Sequence, residues 1–155
     1  MPPELTPDTF AAVSGLDSEA PLRLELPAAL AAVETARRAV LGHLRAQALS
    51  ARTIYRVELV LEEVLMNIIR HAFPHAGEHR IHLQVCADSD QIRLRFEDEG
   101  VEFDPSSAAA RPAPASLDEA QPGGLGLVLV RRHARQLAYA RRDGRNVLDI
   151  AVARS

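Results

Sequence analysis

The segment between Ser50 and Pro74 has a helical hydrophobic period, and it constrains the fold more than any other part of the chain. Ser50 can cap the first turn, and Pro74 with Gly77 can end the helix near Phe73. A helix with one wide apolar face must bury that face against a second layer. The side chains that share this face by their spacing are Val57, Val60, Leu61, Val64, Leu65 and Ile68.

The second layer is predicted to be a sheet, because several other segments alternate between apolar and polar residues. A short strand over Leu22–Leu26 leads into a helix that Pro27 opens and that runs to about Leu49. A third, shorter helix follows Gly123 and ends near His133. The remaining predicted strands are Arg80–Ala87, Gln91–Glu97, and a hairpin of Gln136–Arg141 with Asn146–Val152. These elements predict an α+β fold, a two-layer α/β sandwich with helices covering one face of a mostly antiparallel sheet.

Length and composition indicate one domain. The chain has 155 residues, of which 47% are hydrophobic, enough for a single core. We expect that domain at residues 21–155, after a proline-rich, flexible segment at residues 1–20. The lone cysteine, Cys86, lies in an alternating strand and is expected to be a small buried apolar residue.

Charge and hydropathy limit the partners. The formal net charge is −3, so there is no overall basic field for nucleic acid, and no apolar run is long enough to cross a membrane. The acidic start differs from a signal peptide, which leads us to expect a cytoplasmic protein. Six arginines near the C-terminus lack interleaved aromatic residues and indicate a solvated or partner-facing surface: Arg131, Arg132, Arg135, Arg141, Arg142 and Arg145.

The helix after Ser50 also has a polar row, in which Glu63, Asn67 and His71 are spaced by four residues. Asparagine is a poor helix former, so Asn67 in mid-helix suggests a specific role. The row can be a solvated helix face. Alternatively, the Asn67 carbonyl oxygen can ligate Mg²⁺ while Glu63 accepts a proton from an attacking hydroxyl group or water.

Three glycines, Gly123, Gly124 and Gly126, stand where the third helix begins. Glycines allow backbone N–H groups to approach a phosphate, and a helix N-terminus favours negative charge. They also serve ordinary tight turns, so alone they are weak evidence. Neither the dinucleotide fingerprint nor the P-loop pattern is present around them.

The acidic stretch Glu97–Pro105 closes the second of the central strands, and about nineteen residues of low periodicity follow it, from Asp104 to Pro122. A loop of that length in a compact domain is either a misassigned element or an active-site lid. Within the acidic stretch, Asp98 and Gly100 are separated by one residue.

The order of these features resembles the N box, G1 box, lid and G2 box of the Bergerat-fold ATPases, the superfamily of gyrase and the histidine kinases. The motifs are Glu-x-x-x-Asn-x-x-x-His at 63–71, Asp-x-Gly-x-x-Phe-Asp-Pro at 98–105 and Gly-Gly-x-Gly-Leu at 123–127. Within the superfamily the chain is most similar to anti-sigma-factor serine kinases of the RsbW and SpoIIAB type, over about residues 22–153.

The resemblance implies a role for each matching residue. Asp98 would accept a hydrogen bond from the adenine amino group of ATP, and Gly100 would leave room for the base. Asn67 would hold Mg²⁺ and Glu63 would be the catalytic base. The backbone of Gly124, Leu125 and Gly126 would lie on the phosphate side.

The same resemblance implies an ATP- and Mg²⁺-dependent serine/threonine protein kinase that also acts as an anti-sigma factor. Its partners would be a sigma factor and an anti-anti-sigma protein of the STAS type, which it would phosphorylate on serine. It also implies a homodimer formed through the N-terminal part of the domain, with no nucleic-acid or membrane contact. The alternatives are an ATP-responsive sequestering module with weak or lost kinase activity and the catalytic domain of a sensor histidine kinase.

Overall fold

The computed structural model describes residues 20–75, 77–104 and 124–154, with side chains from residue 128 onward in the last range. The predictions for residues 1–19 and for the loop after Asp104 therefore concern residues outside the described ranges. In chain order the elements are β1 (Leu22–Pro27), α1 (Ala31–Leu44), α2 (Ala51–His71), β2 (Arg80–Ala87), β3 (Gln91–Asp98), α3 (Gly124–His133), β4 (Gln136–Arg142) and β5 (Arg145–Ala153).

The five strands form one sheet in the order β1-β2-β3-β5-β4, and every neighbouring pair is antiparallel. The β4–β5 hairpin turns on Asp143 and Gly144, whose φ angles are 51° and 76°. Positive φ at both central residues is the geometry that an Asp-Gly pair supports in a two-residue hairpin. The predicted α+β class with an antiparallel sheet is confirmed.

The helices bury their apolar faces against one side of this sheet. All six residues of the predicted α2 stripe are buried, and they share one core with alternate residues of the strands, such as Leu83, Leu94 and Ile150. Burying one such side chain stabilises a fold by about 1.5–3 kcal/mol. The Ser50 side chain accepts a hydrogen bond from Thr53 N at 3.1 Å, so the predicted helix cap is confirmed.

The predicted start of the first helix was wrong. Pro27 is the last residue of β1 and pairs with Arg80, and the next residue, Ala28, donates its N–H to His79 O at 2.9 Å. Pairing with β2 therefore holds the backbone extended past the proline, and α1 begins at Ala31. Its end was also misplaced, because α1 stops at Leu44, a short 3₁₀ turn follows over Arg45–Gln47, and Ala48 has a φ of 50°.

Two further boundaries differ slightly from the prediction. α2 ends at His71 rather than Phe73, and β3 continues to Asp98, one residue beyond the predicted end. The second difference matters for the site, because it makes Asp98 part of the sheet. None of the helices in the described part of the chain is both long and apolar enough to cross a membrane.

Candidate nucleotide-binding site

The C-terminal half of α2 lies over the ends of β3 and β5, and a cavity of about 20 Å³ lies between them. Such a volume holds about one water molecule. A purine ring therefore needs the walls to move apart. The residues around the cavity are mostly apolar, with a few polar groups among them: Val64, Asn67, Ile68, Ala72, Asp98, Phe103, Tyr139, Asn146 and Leu148.

Among the described residues that line the cavity, Asp98 is the only carboxylate, and it is 3% exposed. Its Oδ1 accepts hydrogen bonds from Gly100 N at 2.8 Å and from Asn146 Nδ2 at 3.0 Å. Both bonds fall on one oxygen, so Oδ2 is the atom that remains for a ligand. Burial raises the pKa of Asp98 above its ordinary value, and the bonds from Asn146 and Gly100 oppose that rise.

Asn146 organises the polar side of the cavity. In the sheet it stands directly opposite Asp98, and its Nδ2 donates to Asp98 and to Val101 O at 2.8 Å. Its Oδ1 accepts from the Tyr139 hydroxyl group and from Arg141 Nη1 at 3.1 Å. Because the amide nitrogen meets only acceptors and the amide oxygen only donors, the orientation of the side chain is fixed.

Gly100 is required by close packing. A Cβ atom at this position would lie 2.4 Å from Ala72 O and 2.8 Å from the Asp98 carboxylate. The neighbouring Val101 donates its N–H to the same Ala72 O at 2.8 Å, and Arg141 Nη1 donates to Gly100 O at 2.7 Å. The segment after β3 is thus held between the end of α2 and the β4–β5 hairpin.

Asn67, the predicted Mg²⁺ ligand, is buried in the cavity wall. It is 5% exposed and lines the cavity, and no hydrogen bond from any described residue holds its carboxamide. An uncommitted amide oxygen is a ligand type that Mg²⁺ accepts, so the residue fits the ion. The solvated-face alternative fails for Asn67 but describes His71, which is exposed and stacks on Phe103 with ring centroids 6.1 Å apart.

Glu63 lies one turn before Asn67 on α2 and is half-buried. Burial raises its pKa, and the neighbouring charge of Glu62 adds to the rise. A carboxylate whose pKa moves toward neutrality is a better proton acceptor at physiological pH. Glu63 is not part of the cavity wall, which leaves it beside the site rather than inside it.

The predicted phosphate-side glycines Gly124 and Gly126 are the first and third residues of α3, which packs beside α2. Gly123 and the side chain of Leu125 lie outside the described residues. The backbone of α3 therefore agrees with a helix start at these glycines, and their role toward phosphate stays a prediction.

Known proteins can now be compared with this arrangement. A family model described as the histidine kinase-like ATPase domain matches residues 26–152. The chain belongs to the histidine kinase-like ATPase family.

Relatives of this ATPase include two named kinases. The serine/threonine-protein kinase BtrW of Bordetella bronchiseptica is 41% identical over 101 residues, which cover 65% of this chain and 71% of BtrW. The serine-protein kinase RsbW of Listeria monocytogenes is 26% identical over 113 residues, which cover 70% and 72% of the two chains. With the family match, these relatives identify the chain as a serine/threonine-protein kinase that uses ATP.

The fold comparison agrees. The structure of the SiaB–SiaC complex from Pseudomonas aeruginosa has a chain that superposes with a TM-score of 0.59 at 19% identity, covering 94% of both chains. At that identity the likeness concerns the fold alone. It supports the Bergerat-type arrangement of sheet and helices.

The sequence did not assign a role to Asn146, Tyr139 or Phe103, although all three line the cavity. Asn146 and Asp149 are the two polar residues of the predicted strand Asn146–Val152, and this was the available signal for Asn146. Its partner Asp98 lies 48 residues earlier, so only the strand register brings the two together.

Replacing Gly100 with alanine should destabilise the protein by about 1–3 kcal/mol, because the added methyl group overlaps the Ala72 backbone. Gly42 in α1 is the matched control, since a Cβ there meets nothing within 4 Å. Gly42→Ala should stabilise by about 0.5–1 kcal/mol, as alanine does in a helix interior. Urea denaturation measures both, and equal effects would contradict the packing argument.

Asp98→Asn should weaken ATP binding at least about tenfold, since it turns an acceptor into a donor that faces the adenine amino group. The amide oxygen can keep the bonds from Gly100 and Asn146, so folding is retained. Calorimetric titration with ATP measures the loss, and unchanged affinity in a folded variant would overturn the assignment of Asp98.

The free energy of unfolding, measured as a function of pH, tests Asp98→Asn independently of ATP binding. Because the pKa of Asp98 is raised above 3.8 in the folded protein, its charge costs stability at pH values above its folded pKa, and this cost disappears below about pH 4. Asp98→Asn should therefore be at least as stable as the parent at pH 7. Any difference in unfolding free energy between the two, measured by urea denaturation, should disappear by about pH 3–4.

Proposed function

We propose that this ATPase binds ATP with Mg²⁺ in the cavity beside Asp98 and phosphorylates a serine of a small STAS-type anti-anti-sigma protein. The observation that carries the proposal is the pairing, in one cavity, of a buried carboxylate with an uncommitted carboxamide, Asp98 and Asn67. A single polar edge of a base and a single hard cation are the ligands that such a pair fits.

The chain's own residues supply positioning and proton transfer. Asp98 Oδ2 orients the base, Asn67 holds the metal ion, and the α3 backbone lies toward the phosphates. Bound Mg²⁺ supplies positive charge to neutralise the phosphate oxygens. Glu63 accepts the proton of the serine hydroxyl group, whose oxygen forms the new bond to the γ-phosphorus of ATP. The bond from that phosphorus to the β–γ bridging oxygen breaks, and ADP leaves. Its raised pKa suits that role only when the carboxyl group is deprotonated, so transfer should increase as pH rises through the Glu63 pKa.

The second partner that we propose is a sigma factor, which the kinase sequesters when the anti-anti-sigma protein is phosphorylated. The support is the likeness to RsbW and to BtrW, together with the resemblance to anti-sigma kinases in the motifs. Which proteins fill these two roles is decided by surfaces outside the cavity. We further propose a cytoplasmic location, where a sigma factor acts.

Glu63→Gln should lower phosphotransfer by about 10²–10⁴-fold while ATP affinity stays within about twofold, because the amide keeps the shape but accepts no proton. The neighbouring Glu62→Gln is the matched control, since Glu62 is exposed and only its charge reaches Glu63. Transfer of labelled phosphate from ATP to the STAS protein is the measurement. Equal rates in the parent and Glu63→Gln would exclude Glu63 from the mechanism, and no transfer by the parent would favour the sequestering module.

We also propose that two copies of the chain associate through the N-terminal part of the domain. On α1 the apolar residues Ala36, Val40 and Leu44 are buried inside this chain, so they are not available to a second copy. The features that remain exposed for contact with a second copy are the Leu30 side chain, which is 61% exposed, and the unpaired edge of β1.

The dimer should therefore depend on Leu30. Light scattering at micromolar concentration should give twice the chain mass for the parent and a lower mass for Leu30→Glu. The matched control is Leu129→Glu, which changes another exposed leucine on α3. A monomer at all concentrations would contradict the proposal.

A further inference from the structure

A second surface lies away from the cavity, where the first turns of α2 meet the last turn of α3. The Tyr55 ring meets the His133 ring edge to face, with centroids 6.1 Å apart. Tyr55 is 57% exposed and Leu129 is 36% exposed, two of the few large apolar side chains that the described residues leave to solvent. We call this surface the α2–α3 patch, and its members are Arg52, Tyr55, Arg56, Leu129, Arg132 and His133.

Helical spacing makes the patch continuous. Arg52, Tyr55 and Arg56 are spaced by three and one residues on α2, and Leu129, Arg132 and His133 repeat that spacing on α3. Residues three and four apart share one helix face, so each helix presents an apolar or aromatic residue beside an arginine. The contact between Tyr55 and His133 joins the two faces.

The charge of the patch is uncompensated within the described chain. Arg52, Arg56 and Arg132 form no ion pair with any described residue, and α3 contains no acidic residue. Glu58, one turn after Tyr55, is directed to α1, where it pairs with Arg37 at 3.3 Å. The patch therefore has a formal charge of about +3, although the whole chain has a net charge of −3.

The position of Arg52 is unfavourable for the helix itself. It lies in the first turn of α2, which contains no acidic residue. A positive charge there opposes the helix dipole, so it does not stabilise the helix. A negatively charged group beside Arg52 would offset this unfavourable interaction.

We infer that the α2–α3 patch is a docking surface for an acidic segment of a partner protein that also presents an apolar side chain to Tyr55 and Leu129. Tyrosine and arginine are the residue types enriched at protein interfaces and at their energetic centres. A nucleic-acid site is disfavoured, because such sites usually make more phosphate contacts than three arginines provide. Six residues form a small interface, so the dissociation constant should be micromolar and should rise with salt.

The test uses the full chain and a fluorescein-labelled peptide of about fifteen residues that repeats Glu-Glu-Leu, with a Gln-Gln-Leu peptide of the same length as its control. Fluorescence anisotropy should show binding of the first peptide at about 50 mM salt and weaker binding at about 300 mM. Arg52→Glu with Arg132→Glu should weaken binding at least tenfold. Arg45→Glu with Arg142→Glu, two exposed arginines outside the patch, should change it less than about twofold.

Tyr55→Ala separates a defined interface from diffuse attraction between charges, since it changes no charge and should still weaken binding about tenfold. All variants should keep their ATP affinity, because none of these residues lines the cavity. If charge reversal lowers the melting temperature, Arg52→Gln with Arg132→Gln replaces it. The inference is overturned if the acidic peptide does not bind, or if the two double arginine variants lose the same affinity for it. It is also overturned if Tyr55→Ala binds the peptide as the parent does, or if duplex DNA binds more tightly than the peptide.

Discussion

The hydrogen bond between Asp98 and Asn146 connects the sheet to the cavity. It joins two neighbouring strands at the same level, with Asn146 Nδ2 3.0 Å from Asp98 Oδ1. A buried carboxylate is expensive unless donors surround it, and here one amide and one backbone N–H provide them on a single oxygen. The remaining oxygen keeps its acceptor capacity toward the cavity. The sheet thus holds in place the Asp98 carboxylate, whose remaining acceptor oxygen faces the cavity.

The surrounding network transmits that arrangement to the segment after β3. Asn146 also holds Val101, while Arg141 holds the Gly100 carbonyl oxygen and Ala72 closes the other side. Asp98, the end of α2 and the β4–β5 hairpin are consequently linked by one network of hydrogen bonds and close contacts. In contrast, the stacked pair Phe103 and His71 lies at the outer wall, where His71 is exposed.

Sequence patterns predicted the helical layer and the sheet well, because the spacing of apolar residues along the chain determines each of them. The α2 stripe and the alternating strands were both confirmed, since burial of one face follows directly from a period of 3.6 or 2. Pro27 was misassigned because a proline suits both the first turn of a helix and the edge of a sheet, and here pairing with β2 decides. The hydrogen bond from Asn146 to Asp98 joins residues 48 positions apart, which only the pairing of β3 with β5 brings together. A local sequence pattern does not contain that pairing. The family motifs identified Asp98 and Asn67, and the structure supplies a geometry that suits their proposed roles.

The central claim is that the cavity beside Asp98 recognises adenine through one acceptor oxygen. Calorimetric titration of the parent protein with ATP and then GTP, each with Mg²⁺, tests it most directly. GTP places a carbonyl oxygen where ATP has its amino group, so two acceptors would face each other in a buried site. We predict that ATP binds at least about a hundredfold more tightly than GTP. Equal affinity for the two nucleotides, or affinity for neither, would contradict the claim.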